Sequence, residues 1–427
     1  MFGSGWRRGA FVGLAAAGAA LVIGAGAGLT LASGALRPHA APNPPVSNQA
    51  ASNQAGQQRA GARVVAQRSG AAPTVTPPPA SEQAVRRTAA PPSAVPWGSV
   101  GPGWVLDTYS AGTRARPAPT TLCLVSPGGA KYPLLTWPVS ATPAPTLEAW
   151  AGNKTEALFQ LYSANGLSDG YGELNLVTQA MTRVAFASSA TTPVGYTLPA
   201  GEQVLGVTQS GPDATFARYS QAGALVKTLV TEAHGLGASY SPDGMSLAVT
   251  AEGGLLLVSN ATGASTSLPV PGAGAKDLCQ PVRWWNPTTI LANCGRLWLV
   301  PDTGAAPSAL TPVRDTGQAR YDLGDIDAWQ LPSGLYLQSL GACGTLELNR
   351  QAANGSVSPV NVPGMTDSPV VVTAAGPRLL IEQHGCDGSG GQLAWYDPAT
   401  GAEDWIFTTG AGASAVAYDS PENGSIL

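Results

Sequence analysis

Charge is scarce in this chain of 427 residues: Asp, Glu, Lys and Arg together make up 11%, about half the usual share. The net charge is -4 and the part beyond residue 96 is acidic, which argues against nucleic acid as its partner, because phosphate binding needs a concentrated basic face. Histidine is nearly missing, three residues in all, and none of the five Cys stands in a Cys-x-x-Cys pair. No metal centre and no cofactor are therefore expected. Aromatic residues are absent altogether from Arg37 to Pro96. Beyond that point no segment sustains a helical apolar period. The 53 Gly and 37 Pro favour a turn-rich, all-β chain, and 44% apolar content suffices for a core.

The longest run without charge is Gly9–Leu36, preceded by Arg7 and Arg8. A positive stretch before an apolar run means export. Residues 1–8 are read as a short basic cytoplasmic region and residues 9–36 as a signal anchor or a signal peptide. The 28-residue run is long enough to span a bilayer, whereas Ser33-Gly34-Ala35 offers the small residues that signal peptidase reads. The expected location is the cell membrane, single-pass with the folded part outside the cytoplasm, or secretion if the signal is cleaved. Residues 37–96 hold eleven Pro among Gln, Asn, Ser and Ala, a composition too poor in apolar surface to offset its conformational entropy. They form a disordered tether with an end-to-end distance of roughly 45 Å. Residues 1–96 carry eight Arg against Glu82 alone, so the remainder is acidic, near -11.

Residues 97–427 are organised around one clear unit, Ala238–Val270. Tyr240 and Ser241 end a first strand, and Pro242-Asp243-Gly244 is a turn in which Pro presets φ, Asp bonds back to the backbone and Gly accepts positive φ. Further strands follow over Ser246–Thr250, Leu255–Val258 and Ser267–Val270, separated by Glu252-Gly253-Gly254 and by Asn260–Gly263. Four short antiparallel strands make a propeller blade. The apolar pair of the third strand recurs as Leu122/Leu124, Leu174/Leu176, Phe216, Leu255/Leu257, Leu297/Leu299, Leu346/Leu348 and Leu393/Trp395, at intervals of 52, 42, 39, 42, 49 and 47 residues. These copies predict an all-β, seven-bladed β-propeller of four-stranded antiparallel blades. The first copy lacks an inner strand before Gly103–Tyr109. The surplus tail Ala413–Leu427 is expected to supply it and so close the ring.

Tyr240-Ser241-Pro242-Asp243-Gly244-Met245-Ser246-Leu247-Ala248-Val249 resembles the W-S-P-D-G-x-x-L/I-A repeat of TolB-like, WD40-related β-propellers, with Tyr in place of Trp. Val282–Trp285 through Arg296–Val300 resembles the next repeat, with Asn286-Pro287 at the turn. The resemblance implies an extracytoplasmic bacterial propeller used for binding and scaffolding in the envelope. It carries no functional residue across, since Tyr240, Ser241, Pro242, Asp243 and Gly244 are structural turn positions.

An exported chain keeps disulfides. Strand order places Cys279 in the loop entering the fifth blade and Cys294 at the turn between that blade's second and third strands. Cys343 and Cys386 occupy corresponding turns of the next two blades. The pairs Cys279–Cys294 and Cys343–Cys386 are the candidates, with other pairings and free thiols left open. Cys123, inside a strand, reads as a buried free thiol. Gly166-Leu167-Ser168-Asp169-Gly170 matches a nucleophile elbow in letters but sits between two strands, so a hairpin turn is expected. Cys386–Gly391, with His384 beside it, reads as a Gly-rich hairpin. Asp322, Asp325 and Asp327 read as solvated loop acids rather than a calcium site. Trp284, Trp285, Trp298, Trp329 and Trp395 read as packing between blades.

No catalytic constellation emerges. The expected function is a non-catalytic binding or scaffolding propeller, tethered to the membrane, that engages an envelope protein or ligand. The alternative is an envelope carbohydrate- or peptide-acting enzyme with its site in the propeller channel. Peptidases that carry such propellers also need an attached α/β-hydrolase domain, which is not expected in this chain.

Overall fold

The computed structural model describes residues 94–112, 116–140, 142–151, 155–198, 201–211, 213–274, 277–311, 324–340, 346–365, 369–383 and 391–416. The expected segments 1–8 and 9–36 and nearly all of the 37–96 tether lie outside these residues, as do Cys343, Cys386, Asp322 and His384. Among the described residues no helix is long and apolar enough to cross a membrane.

After a 3-10 turn at Trp97–Ser99, the regular structure among the described residues is strand. β1 (Val105–Tyr109), β2 (Thr120–Val125) and β3 (Lys131–Trp137) come first. β4 (Thr146–Trp150), β5 (Glu156–Tyr162), β6 (Ser168–Asn175) and β7 (Met181–Val184) form a four-stranded antiparallel sheet in that order. β8 (Thr191–Tyr196), β9 (Gln203–Ser210), β10 (Asp213–Ser220) and β11 (Leu225–Ala233) form another. β12 (Ala238–Tyr240), β13 (Ser246–Glu252), β14 (Gly254–Ser259) and β15 (Ser265–Pro269) follow. They share one sheet with β16 (Leu278–Asn286), β17 (Thr289–Asn293), β18 (Leu297–Pro301) and β19 (Ser308–Ala309). β20 (Asp325–Leu331), β21 (Gly334–Leu340), β22 (Leu346–Gln351) and β23 (Val357–Pro359) make a further four-stranded sheet. The last strands are β24 (Pro369–Ala375), β25 (Arg378–Gln383), β26 (Gly391–Asp397) and the long β27 (Ala402–Val416).

β27 joins the two ends of the domain. It pairs with β26 from Ala402 to Ala411 and then with β1, from Ala411 opposite Tyr109 to Val416 opposite Val105. The expectation that the C-terminal segment completes the first sheet holds for the described part of that segment. A strand with partners on both sides exposes no edge, and the ends cannot separate without loss of that ladder.

All four strands expected within Ala238–Val270 are present, and the unit is also paired to the strands that follow it. β12 covers only Leu247, Ala248 and Val249 of β13, which leaves the far end of β13 without an inner partner. The first residues of β16 fill the gap, with Cys279 opposite Ala251 and Leu278 opposite Glu252. The two sets of strands are thereby stitched by backbone, and Cys279 lies in a strand rather than a loop.

A recurrent device shapes the first strand of most sets. The ladder skips Glu148, Val194, Val282, Ile326 and Val372, each a one-residue bulge in β4, β8, β16, β20 and β24 respectively. A bulge bends the strand and raises its twist, which splays successive sheets. The core then fills the wedges between neighbours. One cluster packs Leu122, Leu124 and Trp104 against Leu147, Trp150, Phe159 and Leu174. Another packs Trp395, Leu393 and Phe407 against Val105 and Val125. Trp284 and Trp395 are fully buried and Trp298 and Trp329 are buried, as expected for tryptophans between sheets. Burial of such a side chain stabilises the fold by roughly 1.5–3 kcal/mol.

Outer edges are covered by the turn of the next set. The Gln179 side chain donates to the Leu134 carbonyl on β3, Ala185 N donates to Ala222 O at 3.0 Å, and the Lys227 ammonium reaches the Ala261 carbonyl. Gly223, at φ +91°, is required there, because a Cβ would lie 2.5 Å from the Ala185 backbone. Such lapped turns remove open edges that would otherwise invite a foreign strand.

Candidate functional site

The turn that organises the repeat is a closed hydrogen-bond knot. Ser241 Oγ donates to Asp243 Oδ1 at 2.6 Å and accepts from Ser246 N at 2.9 Å, while Met245 N donates to Asp243 Oδ1 at 2.9 Å. Gly244, at φ +71°, donates its amide to Ser241 O. Its own carbonyl accepts from Asn260 Nδ2 at 2.8 Å. The Ser241 hydroxyl, and after it the Met245 amide, hold the Asp243 carboxyl below its ordinary value. Tyr240 is buried, which pushes its phenol up, and it leans on Asn260. The knot pins β12, β13 and β14 together at one end, and it ejects Met245 into solvent at 61% exposure.

Cys279 and Cys294 form a disulfide with a Cα–Cα distance of 4.3 Å. It ties the start of β16 to the β17–β18 turn, at the place where β16 crosses to β13. Asn293, beside Cys294, donates through Nδ2 to Asp325 O on β20 at 3.3 Å. The brace therefore sits between contacts to both neighbouring sets. Cys123 is a buried free thiol, pushed up to about 12 by burial and by Asp107, with Lys131 acting the other way. A thiol held that high is a weak nucleophile.

The acids Asp325 and Asp327 depart from expectation. Both lie in β20 and are buried, at 6% and 2% exposure, instead of standing in a solvated loop. Their partners account for this. Asp327 pairs with Arg283 of β16 at 2.9 Å, and the Arg283 guanidinium lies 4.4 Å from the centre of the Trp329 ring. Ser339 Oγ donates to Asp325 Oδ1 at 2.8 Å and itself accepts from Asn349 Nδ2 at 3.1 Å. Buried charge is tolerated when paired and hydrogen-bonded in this way.

Next to this pair, Gln338 works as a substitute strand. Its Nε2 donates to Glu347 O at 3.1 Å and to Pro369 O at 2.9 Å, and its Oε1 accepts from Val371 N at 2.8 Å. The side chain thus satisfies an acceptor and a donor on the inner edge of β24 and links that strand to β21. Between β6 and β8, Tyr196 Oη donates to the buried Glu173 at 3.0 Å. Burial raises the Glu173 carboxyl to about 6, Glu156 adds to the rise and the Tyr196 bond opposes it.

Sequence reasoning missed Arg283, Gln338 and Glu173. The available signal was a polar residue inside an otherwise apolar strand, as in Val282-Arg283-Trp284 or Glu173-Leu174. The serine of the Gly-x-Ser-x-Gly match behaves as expected of a hairpin: Gly166 and Gly170 have φ of +77° and +92°, and Ser168 opens β6 rather than a helix. Its Oγ accepts from Gln160 Nε2 at 3.1 Å.

No protein-family model matches this sequence, and no curated protein matches it either. Solved structures do. A prolyl endopeptidase from a study of inter-domain dynamics in catalysis and specificity aligns with 76% of this chain at 14% identity, with a TM-score of 0.51. The described domain is a β-propeller. The likeness shows the fold alone, and this chain spans about half the length of that peptidase. TolB from Acinetobacter baumannii is also similar, at 15% identity and a TM-score of 0.40 over 74% of this chain and 66% of that one. So is the β-propeller domain of the Trilobed protease from Pyrococcus furiosus, at 9% identity and a TM-score of 0.46 over 72% of this chain and 93% of that one. The propeller agrees in fold with the resemblance read from Tyr240–Val249.

Proposed function

We propose that this protein is a non-catalytic binding and scaffolding module: a seven-bladed β-propeller held outside the cytoplasm by an N-terminal anchor and the linker 37–96. Seven blades follow if β27 serves twice, as the last strand beside β26 and the first strand beside β1. The other strands then fall into fours from β4 onward. Apolar clusters between successive fours, such as that joining Trp284 to Leu255 and that joining Leu297 to Leu337, support the count.

The observation that carries the functional reading is the use the fold makes of its polar residues. Asp327 is bound to Arg283, Asp325 to Ser339, and Gln338 to the edge of β24. These groups brace strands within and between blades, and the turns and loops are what the ring presents to a partner. The partner is an envelope protein or ligand. Deletion of Arg37–Pro96 in the full-length chain tests the tether: the deletion should change the location of the domain or its set of bound partners. An unchanged location with unchanged partners would refute it.

A further inference from the structure

On the face of β10 and β11 that packs against β12–β14, two positive charges stand side by side with no carboxylate between them. We propose that Arg218 and Lys227 form a binding site for a doubly charged oxyanion, the phosphate group of a monoester, in the wedge between these two sets of strands.

Arg218 on β10 and Lys227 on β11 are directly opposite in the ladder, so their side chains leave the same face of the sheet as close neighbours. That face meets the next set. Leu205, opposite Arg218 on β9, lies in one apolar cluster with Phe216, Tyr240, Leu247 and Val258. Arg218 is close enough for its charge to act on the buried Tyr240 phenol, and the Lys227 ammonium reaches the Ala261 carbonyl in the turn after β14. Both cations are half-buried. Next to Lys227, Leu225 and Val226 are 58% and 48% exposed, so the wedge opens to solvent there.

Like charges directly opposite each other destabilise a sheet unless a counter-charge joins them. Among the described residues no acid does. Glu202, Asp243 and Asp302, in the neighbouring turns, form no ion pair with either cation. Asp243 is bonded instead to Ser241 Oγ and Met245 N. The Arg218 Nε–H is buried and makes no hydrogen bond among these residues. Gln203, diagonal to Arg218 on the same face, leaves its own Oε1 unpaired rather than accepting that proton.

The donors that remain fit a phosphate. A guanidinium grips two oxygens in a fork and an ammonium serves as a point charge for a third. Lys227 spends one hydrogen on Ala261 and keeps the others. Tyr240 Oη has only a long contact of 3.4 Å to Asn260 Oδ1, which leaves its proton available. A phosphate monoester carries a charge of about -1.5 to -2 at pH 7 and so balances both cations, whereas a carboxylate balances one. A single pair of this kind differs from the extended basic face that a nucleic-acid backbone needs. The inference depends on neither the membrane anchor nor an envelope partner.

The test titrates phenyl phosphate into the full-length protein, followed by phosphorus NMR, with benzoate as the singly charged competitor. One equivalent should bind with a Kd below about 1 mM. Arg218→Gln and Lys227→Gln should each weaken binding at least tenfold. Arg350→Gln should leave it unchanged, since that guanidinium bonds Ser333 O in another set of strands. Circular dichroism melting checks the variants, and removal of either like charge should not lower Tm. A readout that needs no variant is labelling by an amine-reactive reagent: saturating phenyl phosphate should slow modification of Lys227 at least fivefold and leave Lys131 unaffected. No saturation up to about 10 mM, equal affinity for benzoate, binding indifferent to both substitutions, or unprotected Lys227 would each overturn the inference.

Discussion

Gln338 tests how the blades are held together. Its side-chain amide makes three hydrogen bonds, to Glu347 O, Pro369 O and Val371 N, and it is 2% exposed. In Gln338→Leu the volume is nearly kept while all three bonds vanish. Each bond contributes about 1 kcal/mol net, and a buried backbone group left without a partner costs about 1–3 kcal/mol. The apolar side chain recovers part of this through burial, so the expected loss is about 3 kcal/mol. For a domain of about 320 residues the unfolding entropy is about 0.7 kcal/mol/K, which turns that loss into a drop in Tm of about 4–5 °C. Urea or thermal unfolding followed by circular dichroism measures it. Native-state hydrogen exchange adds a local readout, because the Val371 amide should lose protection before its neighbours do. The control is Gln209→Leu, whose bond to the Gly211 carbonyl is exposed and should be worth under about 0.5 kcal/mol. A loss below about 1 kcal/mol in Gln338→Leu, with Val371 still protected, would refute the role assigned to this residue.

Four other outcomes are expected. Arg283→Met should destabilise the domain by about 3–5 kcal/mol by stranding buried Asp327, and adding Asp327→Leu should restore most of the loss; a double variant no more stable than the single one would contradict the pairing. Glu173 has an ordinary value of 4.5 and is raised to about 6 in the fold, so between those values the folded state keeps a proton that the unfolded state releases. Stability should therefore fall by about 2 kcal/mol as pH rises through this window and stay level above it, and Glu173→Gln should abolish that slope in unfolding curves collected from pH 4 to 7. The disulfide closes a loop of 15 residues, so the Cys279→Ser, Cys294→Ser double variant should lose about 3 kcal/mol. In the same protein Cys123 should stay unmodified by an alkylating reagent at pH 8 until the domain is unfolded; rapid labelling of the native state would contradict its burial.

The local architecture was largely legible in the sequence because turn chemistry is local. Pro242-Asp243-Gly244 announces its hairpin through residues that have few other reasons to stand together, and the apolar pairs at Leu255/Leu257 or Leu297/Leu299 mark third strands wherever they recur. The pairing of β27 with β1 was legible too, since a missing strand at one end matched a surplus at the other. What stayed hidden depends on distant partners. Asp325 and Asp327 look like loop acids until Arg283, 44 positions before Asp327, is placed against them. The crossing of β16 to β13 follows from the shortness of β12, and the bulges at Glu148, Val194, Val282, Ile326 and Val372 fall mostly on β-branched apolar residues of the kind that fill ordinary strand positions, so nothing in the sequence marks them. These are properties of backbone geometry, and each is fixed only when neighbouring sets of strands come together.

The central proposal is that the ring presents a binding surface and acts without chemistry of its own. Its most direct test is in-cell crosslinking of the full-length protein, followed by purification and identification of what is attached, with the form lacking Arg37–Pro96 as control. Recovery of one defined envelope protein, lost or redistributed in the control, is the predicted result. An empty recovery, together with cleavage of an envelope glycan or peptide by the purified protein, would contradict the account.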